Sequence, residues 1–497
     1  VHFLRGVTPL AVLAGAATVF ATPRASTAPT VPPEIVVCDT TGGRTNASIV
    51  ADGQGGAIVA WTDARGGGFD VYAHHVLAEG RLDPVDPRQG EPVCTAINDQ
   101  SVTTLIGDGQ GGAFVAWIDG RGGVDHDVYT ARLDAHGIPW TGWAVQGVAL
   151  CTAIGHQHGL DLVSDGGGGA IGAWFDFRAG ADAHIYAQHV TAPGIVDTRW
   201  PADGLPVCAA DGAQYFPRVV GDGKGGAIVA WYDKRNGSNY DVYAQHVLAT
   251  GMTDSRWPAN GRALCTAAGD QRNPTIVSDG HGGGLVAWMD LRRPRDPDVY
   301  AQRVLASGAV DPKWPADGLA VCSAPGRQDA PVLVSDGAGG AIAAWIDARS
   351  SYDLYTQHVL VNGALDRAWP SEGLPVCTAA GDKGSPAIAA DGAGGAFVTW
   401  QDRRNGSDFD LYVQHVLGSG VPDHTWPAEG RLVSGGPGDQ ARPSIARLGA
   451  NGCGLAWEDT RHAPAVEIRA VLLRGTSATK SKPTSGKRRS GSPGSAH

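Results

Sequence analysis

Methionine and glutamate are nearly missing from this chain: two Met and seven Glu among 497 residues. Both favour helices, so their scarcity speaks against a helical protein. Charged residues make up only 18% of the sequence. No apolar run reaches the eighteen or so residues that a membrane helix requires. What is plentiful is glycine, 72 in all and without a collagen-like period. With so few charges, that points to short strands and tight turns.

The two ends differ from the rest. Residues 1–26 carry His2 and Arg5, an apolar run from Leu10 to Ala21, and small residues after it. This pattern predicts a secretory signal peptide, with a linker at 27–33. Export to the periplasm, the cell surface or the medium follows from it. Residues 476–497 are rich in Ser, Gly and Lys and read as a disordered basic tail. Setting aside the five tail cations and Arg5 and Arg24 leaves the body near −18. Such a body repels nucleic acid and anionic membranes, so neither is an expected partner.

Between the ends the chain repeats. Trp-x-Asp-x-Arg occurs at Trp61, Trp117, Trp174, Trp231, Trp288, Trp345, Trp400 and Trp457. A Cys precedes each of the first seven by 23 residues, and Ser434 takes that place in the eighth. Each unit reads as four short strands; in unit five these are 274–278, 284–289, 299–305 and 319–322. An Asp-Gly turn joins the first two strands. Four antiparallel strands per unit and eight units predict an all-β, eight-bladed propeller over residues 34–475. The last unit lacks a fourth strand, whereas Ile35-Val36-Val37-Cys38 is an orphan fourth strand at the other end. A ring closed by pairing the two removes both exposed edges. A monomer is expected.

Length varies in one place only, between the Trp and the following Asp-x-Tyr run, so one face carries variable loops where binding usually resides. The units resemble the β-propeller superfamily, and within it the sialidase-like propellers with Asp-box repeats. The matching residues are Ser278-Asp279-Gly280 with Trp288, and Ser335-Asp336-Gly337 with Trp345. The whole array also resembles exported bacterial repeat proteins of unassigned function. The Trp lies too far downstream for an Asp box, and the arginines sit at repeat positions. The resemblance therefore implies the fold and not sialidase activity.

A residue needed in every unit is needed by the unit itself. The Asp and Arg of the signature read as an ion pair within each blade, and the glycine turns as hairpins rather than calcium loops. The repeat cysteines read as buried thiols, too far apart for disulfides. Two sets break the pattern. His126, His156, His158 and His184 share the variable face around units two and three. They are either unrelated surface residues or a site for a transition metal such as zinc; no other cofactor is expected. Tyr215, Phe216 and Tyr240 are candidate stacking residues on that face, and Arg293 and Arg295 form a basic spot.

Together these readings predict an exported binding module whose variable face takes a glycan or a protein. The alternative is a carbohydrate-active enzyme, a polysaccharide lyase or a sialidase-like hydrolase, with its site at the channel mouth. A glycosidase needs two carboxylates at fixed separation, and the scarcity of Glu speaks against it. A purely structural role in the cell envelope is the third reading.

Overall fold

The computed structural model describes residues 32–474 except 86, 88, 450 and 451. The leader, most of the linker and the basic tail read from the sequence lie outside the described residues. Within them, no helix is long and apolar enough to cross a membrane. Eight antiparallel sheets follow one another around a ring, each with its first four strands hydrogen-bonded in chain order or, for the last, completed from the N-terminus. Blade five is representative: Gln271–Ser278, Gly284–Asp290, Asp298–Val304 and Leu319–Cys322. The first strand begins three residues earlier than its sequence pattern suggests, because a bulge precedes Pro274. First strands of neighbouring blades adjoin one another and line the central channel. The second strand is buried along its whole length, as its unbroken apolar run requires.

Ring closure is as the unpaired strand at the N-terminus predicts. Ile35–Cys38 pairs with Glu467–Arg474, the third strand of blade eight. Just before it, the Glu34 carboxylate receives Arg461 at 3.0 Å and Arg469 at 2.8 Å. Blade eight is thus completed by residues more than 400 positions away in the chain.

The repeated signature is a device of the blade. In blade four, Trp231 Nε1–H donates to Asp233 Oδ2 at 2.9 Å, and Arg235 pairs with the same oxygen at 2.5 Å. The Arg235 guanidinium also lies 3.8 Å above the Tyr243 ring. Its Nη2 reaches Cys208 Sγ at 3.2 Å, and Cys208 ends the fourth strand of blade three. The Cys therefore belongs to the seam between blades. All eight cysteines are free and buried, and burial pushes the Cys208 thiol up to about 12. For the eighth signature, Ser434 at the end of the fourth strand of blade seven does the same work, accepting from Arg461 at 2.6 Å.

Opposite that end, the repeat histidine is held between two carboxylates. His246 lies 2.9 Å from Asp254 through Nδ1 and 2.9 Å from Asp222 through Nε2. Each ring nitrogen faces a carboxylate oxygen, a place for a side chain with a donor at both ends. That is why Arg303 substitutes in blade five, pairing with Asp279 at 2.8 Å and Asp311 at 3.0 Å. Asp222 also accepts the backbone N–H groups of Lys224 and Gly226. Its Asp-Gly turn is a hairpin fastened by its own carboxylate.

Candidate functional site at the channel mouth

In every blade the first strand begins, the second ends and the third begins at one end of the ring. Three positions per blade meet there beside the channel: the residue after the signature Trp, and the second and third residues of the first strand. A register shift follows the second residue of the first strand in all blades but the second, where it comes one residue later. The third residue has positive φ in seven blades, among them Asn46, Phe216 at 49°, Asn273, Ala330, Ser385 and Arg442 at 51°. Gly159 of blade three takes this conformation without strain, and Asn46 and Asn273 tolerate it. Bulges of this kind re-aim side chains at the rims of sheets. The Pro that follows in blades four to eight has no N–H to offer, which suits the unpaired edge facing the channel.

In blades seven, eight and one, the residue after the Trp is polar and serves the next blade's bulge. Glu458 Oε1 accepts Asn46 N–H at 2.8 Å, Thr62 Oγ1 accepts Val102 N–H at 2.9 Å, and Gln401 Oε1 accepts Arg442 N–H at 3.1 Å. In blades three and four the same position holds Phe175 and Tyr232 instead. Each lies directly opposite a non-repeat ring on its own first strand, Phe175 opposite His158 and Tyr232 opposite Tyr215.

From this register comes one continuous aromatic wall. Phe175 contacts Tyr215 and Phe216, both at 5.3 Å between ring centroids. Phe216 stacks on Tyr232 at 5.7 Å, and Tyr232 meets Tyr240 edge-on at 5.0 Å. Phe177 and His158 extend the wall toward blade two, with His158 5.8 Å from Phe175. Phe216 is 48% exposed, the most open ring of the set. At the far end the Arg272 guanidinium lies 4.7 Å over Tyr240 and pairs with Asp270 at 2.6 Å.

Beneath Phe216 the wall runs into a channel cavity of about 530 Å³, lined in part by Asp161, Arg218, Asn273 and Thr275. Arg218 is exposed there, and Asp161 accepts Val219 N–H at 3.0 Å. Burial raises the Asp161 carboxyl against the pull of Arg218. Burial, then the neighbouring Tyr240 phenol, pushes Tyr232 up to about 12. Tyr215 is raised by burial and then by Tyr240. These phenols stay neutral at ordinary pH and offer O–H groups and ring faces.

The sequence-derived candidates fall into three groups. Tyr215, Phe216 and Tyr240 are brought together in the wall. His126, His156 and His158 converge at the seam between blades two and three, with ligand atoms all within 4.8 Å of one another. Burial, then His126 and His156, hold the His158 imidazole below its usual range. His184 is not in that group; it opens the third strand of blade three opposite Asp176. Arg293 is taken up by Asp296 of its own loop at 3.0 Å and by Asp298 at the start of the third strand, and Arg295 is exposed in that loop. Neither shares a ring contact with the wall among the described residues. Phe175, Phe177, Tyr232, Asp161, Arg218 and Arg272 were not anticipated. Lining up the residue after each Trp shows Phe175 and Tyr232 as the only aromatics there, a signal the sequence does contain.

No family model and no curated protein matches this chain. Solved structures do match, at low identity. A polysaccharide lyase, Uly1, has a TM-score of 0.43 and 10% identity, covering 73% of this chain and 88% of its own. The NanB sialidase from Streptococcus pneumoniae has 0.37 and 11%, covering 84% and 83%. A protein of unknown function from Dyadobacter fermentans has 0.37 and 10%, covering 65% and 96%. The activities of these proteins carry no weight here; the propeller itself stands on the strand pairing above.

Proposed function

We propose that this protein is an exported binding module that takes a carbohydrate at the channel mouth, against the aromatic wall of blades three and four. The observation that carries the reading is Phe216. A non-glycine residue at φ 49° is strained by about 1–3 kcal/mol, and its ring is nearly half exposed. Packing does not explain it, and seven equivalent positions show that the blade needs no aromatic there. One half-exposed ring, backed by the buried Phe175 and Tyr232 and flanked by the partly buried Tyr215 and Tyr240 phenols and a guanidinium, suits the apolar face and hydroxyl rim of a sugar.

Holding is favoured over cleaving. Burial keeps the Tyr215 and Tyr232 phenols protonated. The mouth carboxylates are already engaged, Asp270 by Arg272 and Tyr240 N–H, Asp161 by Val219 N–H, Asp329 by Arg327, and Glu458 by Asn46 N–H and Arg442. A glycan array probed with residues 34–475 tests this reading directly. Binding to a defined set of saccharides is the expected result. Release of sugar or of unsaturated uronate from a polysaccharide panel would replace it with the enzyme reading.

A further inference from the structure

We propose that His126, His156 and His158 form a three-imidazole site for a divalent transition metal, with zinc as the best fit, at the seam between blades two and three. This inference does not depend on what ligand the aromatic wall takes.

The repeat makes the case by comparison. Each seam between blades presents three equivalent positions: the residue before the third strand, the residue before the next first strand, and the second residue of that first strand. Around the ring these read Phe69, Asp99 and Ser101; Tyr240, Asp270 and Arg272; Phe409, Asp439 and Ala441; and similar mixtures elsewhere. None of the other seven seams has a histidine at any of the three. This seam has one at all of them.

The middle position has a structural task that histidine performs poorly. Asp99, Asp270 and Asp439 each accept the backbone N–H of the preceding loop at 2.9 Å. His156 Nδ1 replaces that carboxylate and takes His126 N–H at 3.3 Å, near the limit of a hydrogen bond. The seam has exchanged a good cap for a poor one, and the exchange supplies an imidazole.

The rings also lack the partners that histidine has elsewhere in this fold. The five repeat histidines are each clamped between two carboxylates. No ion pair to a carboxylate holds His126, His156 or His158 among the described residues. They face one another instead, with centroids 5.0, 5.3 and 5.7 Å apart. His126 and His156 are exposed and His158 is half-buried against Phe175 and Phe177. One anchored ring and two free to turn can close on an ion at the ~2.0–2.1 Å zinc–nitrogen distance. His156 would do so either through Nδ1, giving up its long hydrogen bond, or through Nε2. Three imidazoles with a fourth position open to solvent form the ligand set of an accessible zinc site, and nitrogen donors select zinc, copper or nickel over calcium or magnesium.

The second three-group cluster, His75, Asp83 and His136, lies at the opposite end of the ring and serves as the control. There both nitrogens of His75 are already occupied by Asp52 and Asp83. The full chain, free of any histidine tag and stripped with EDTA, is titrated with Zn²⁺ by calorimetry, and with Co²⁺ by its visible absorption. One ion per chain is expected at this site. His126→Ala and His156→Ala, both at exposed positions, should each weaken it at least tenfold. His136→Ala and His184→Ala should leave it unchanged, and thermal melts of metal-free variants should match the parent. Absence of one-to-one binding would overturn the proposal, as would unchanged affinity in His126→Ala and His156→Ala, or loss in His136→Ala alone.

Discussion

At the scale of single residues, the informative positions are those where the repeat could have done something simpler. Phe216 adopts a backbone conformation that suits glycine, and Gly159 shows that the neighbouring blade uses glycine at that place. Phe216→Gly should therefore keep or slightly raise the melting temperature, by up to about 1 kcal/mol of relieved strain, while weakening ligand binding. A clear loss of stability instead would mean that the ring is there for packing. Neither the bulge nor its positive φ was legible in the sequence. Asn46 and Asn273 tolerate that conformation, but Phe216, Ala330 and Arg442 give no local sign of it, because the twist of the innermost strand imposes it. The histidines show the other limit. Sequence alone put His184 with the other three because all four map to one face. The face is common to eight blades, however, and only residues flanking one seam converge.

At the scale of the blade, carboxylates of opposite tendency share each sheet. Asp254 is held well below its usual range by Arg256 and, against the upward push of burial, by its own loop's backbone N–H and by His246. Asp222, despite burial, is lowered by His246 and by the hairpin N–H groups. A lowered pKa in the fold contributes stability that is present above the unfolded value near 3.9 and lost as pH falls through the folded one. Acid unfolding should therefore begin below about pH 4. Asp127 and Asp241 run the other way. Burial, then the carboxylates of Asp119 and Asp233 opposite them in the sheet, raise both to about 6. Their contribution is complete below the unfolded value and is lost as pH rises through about 6. Thermal melts from pH 4 to 7 should show a gentle decline that Asp127→Asn and Asp241→Asn flatten. A parent protein whose stability rises across that window would contradict the assignment. These blade-level features were readable from the sequence as structure, because a pair repeated eight times serves the blade. What the sequence could not show is that the cysteine joins one blade to the next, since that contact crosses a seam.

At the scale of the whole ring, the fold was legible almost entirely, because eight copies fix the strand pattern and the unmatched strand at the N-terminus dictates closure. That closure rests on few groups: the four-residue strand Ile35–Cys38 and the Glu34 carboxylate between Arg461 and Arg469. Removing residues 34–38 exposes the edge of Glu467–Arg474 and leaves two arginines without their shared acid. The truncated chain should melt at a clearly lower temperature and over a broader range, and Glu34→Gln should cost about 1–2 kcal/mol. An unchanged melt would mean that the ring does not depend on this strand. Function was legible only as a face, because each blade contributes only a few residues to the mouth and the chemistry emerges when neighbours are set side by side. On the proposed reading the ligand rests on the wall formed by Phe175, Tyr215, Phe216, Tyr232 and Tyr240. The most direct test of that reading is a calorimetric titration of an array-selected saccharide into the parent, into Tyr215→Ala/Phe216→Ala, and into Lys224→Ala at an exposed turn on the opposite end. At roughly 0.5–1.5 kcal/mol for each lost ring contact, the double variant should bind about tenfold more weakly or worse, and Lys224→Ala should bind as the parent does. Parent-like affinity in the double variant, or a loss confined to Lys224→Ala, would contradict the account.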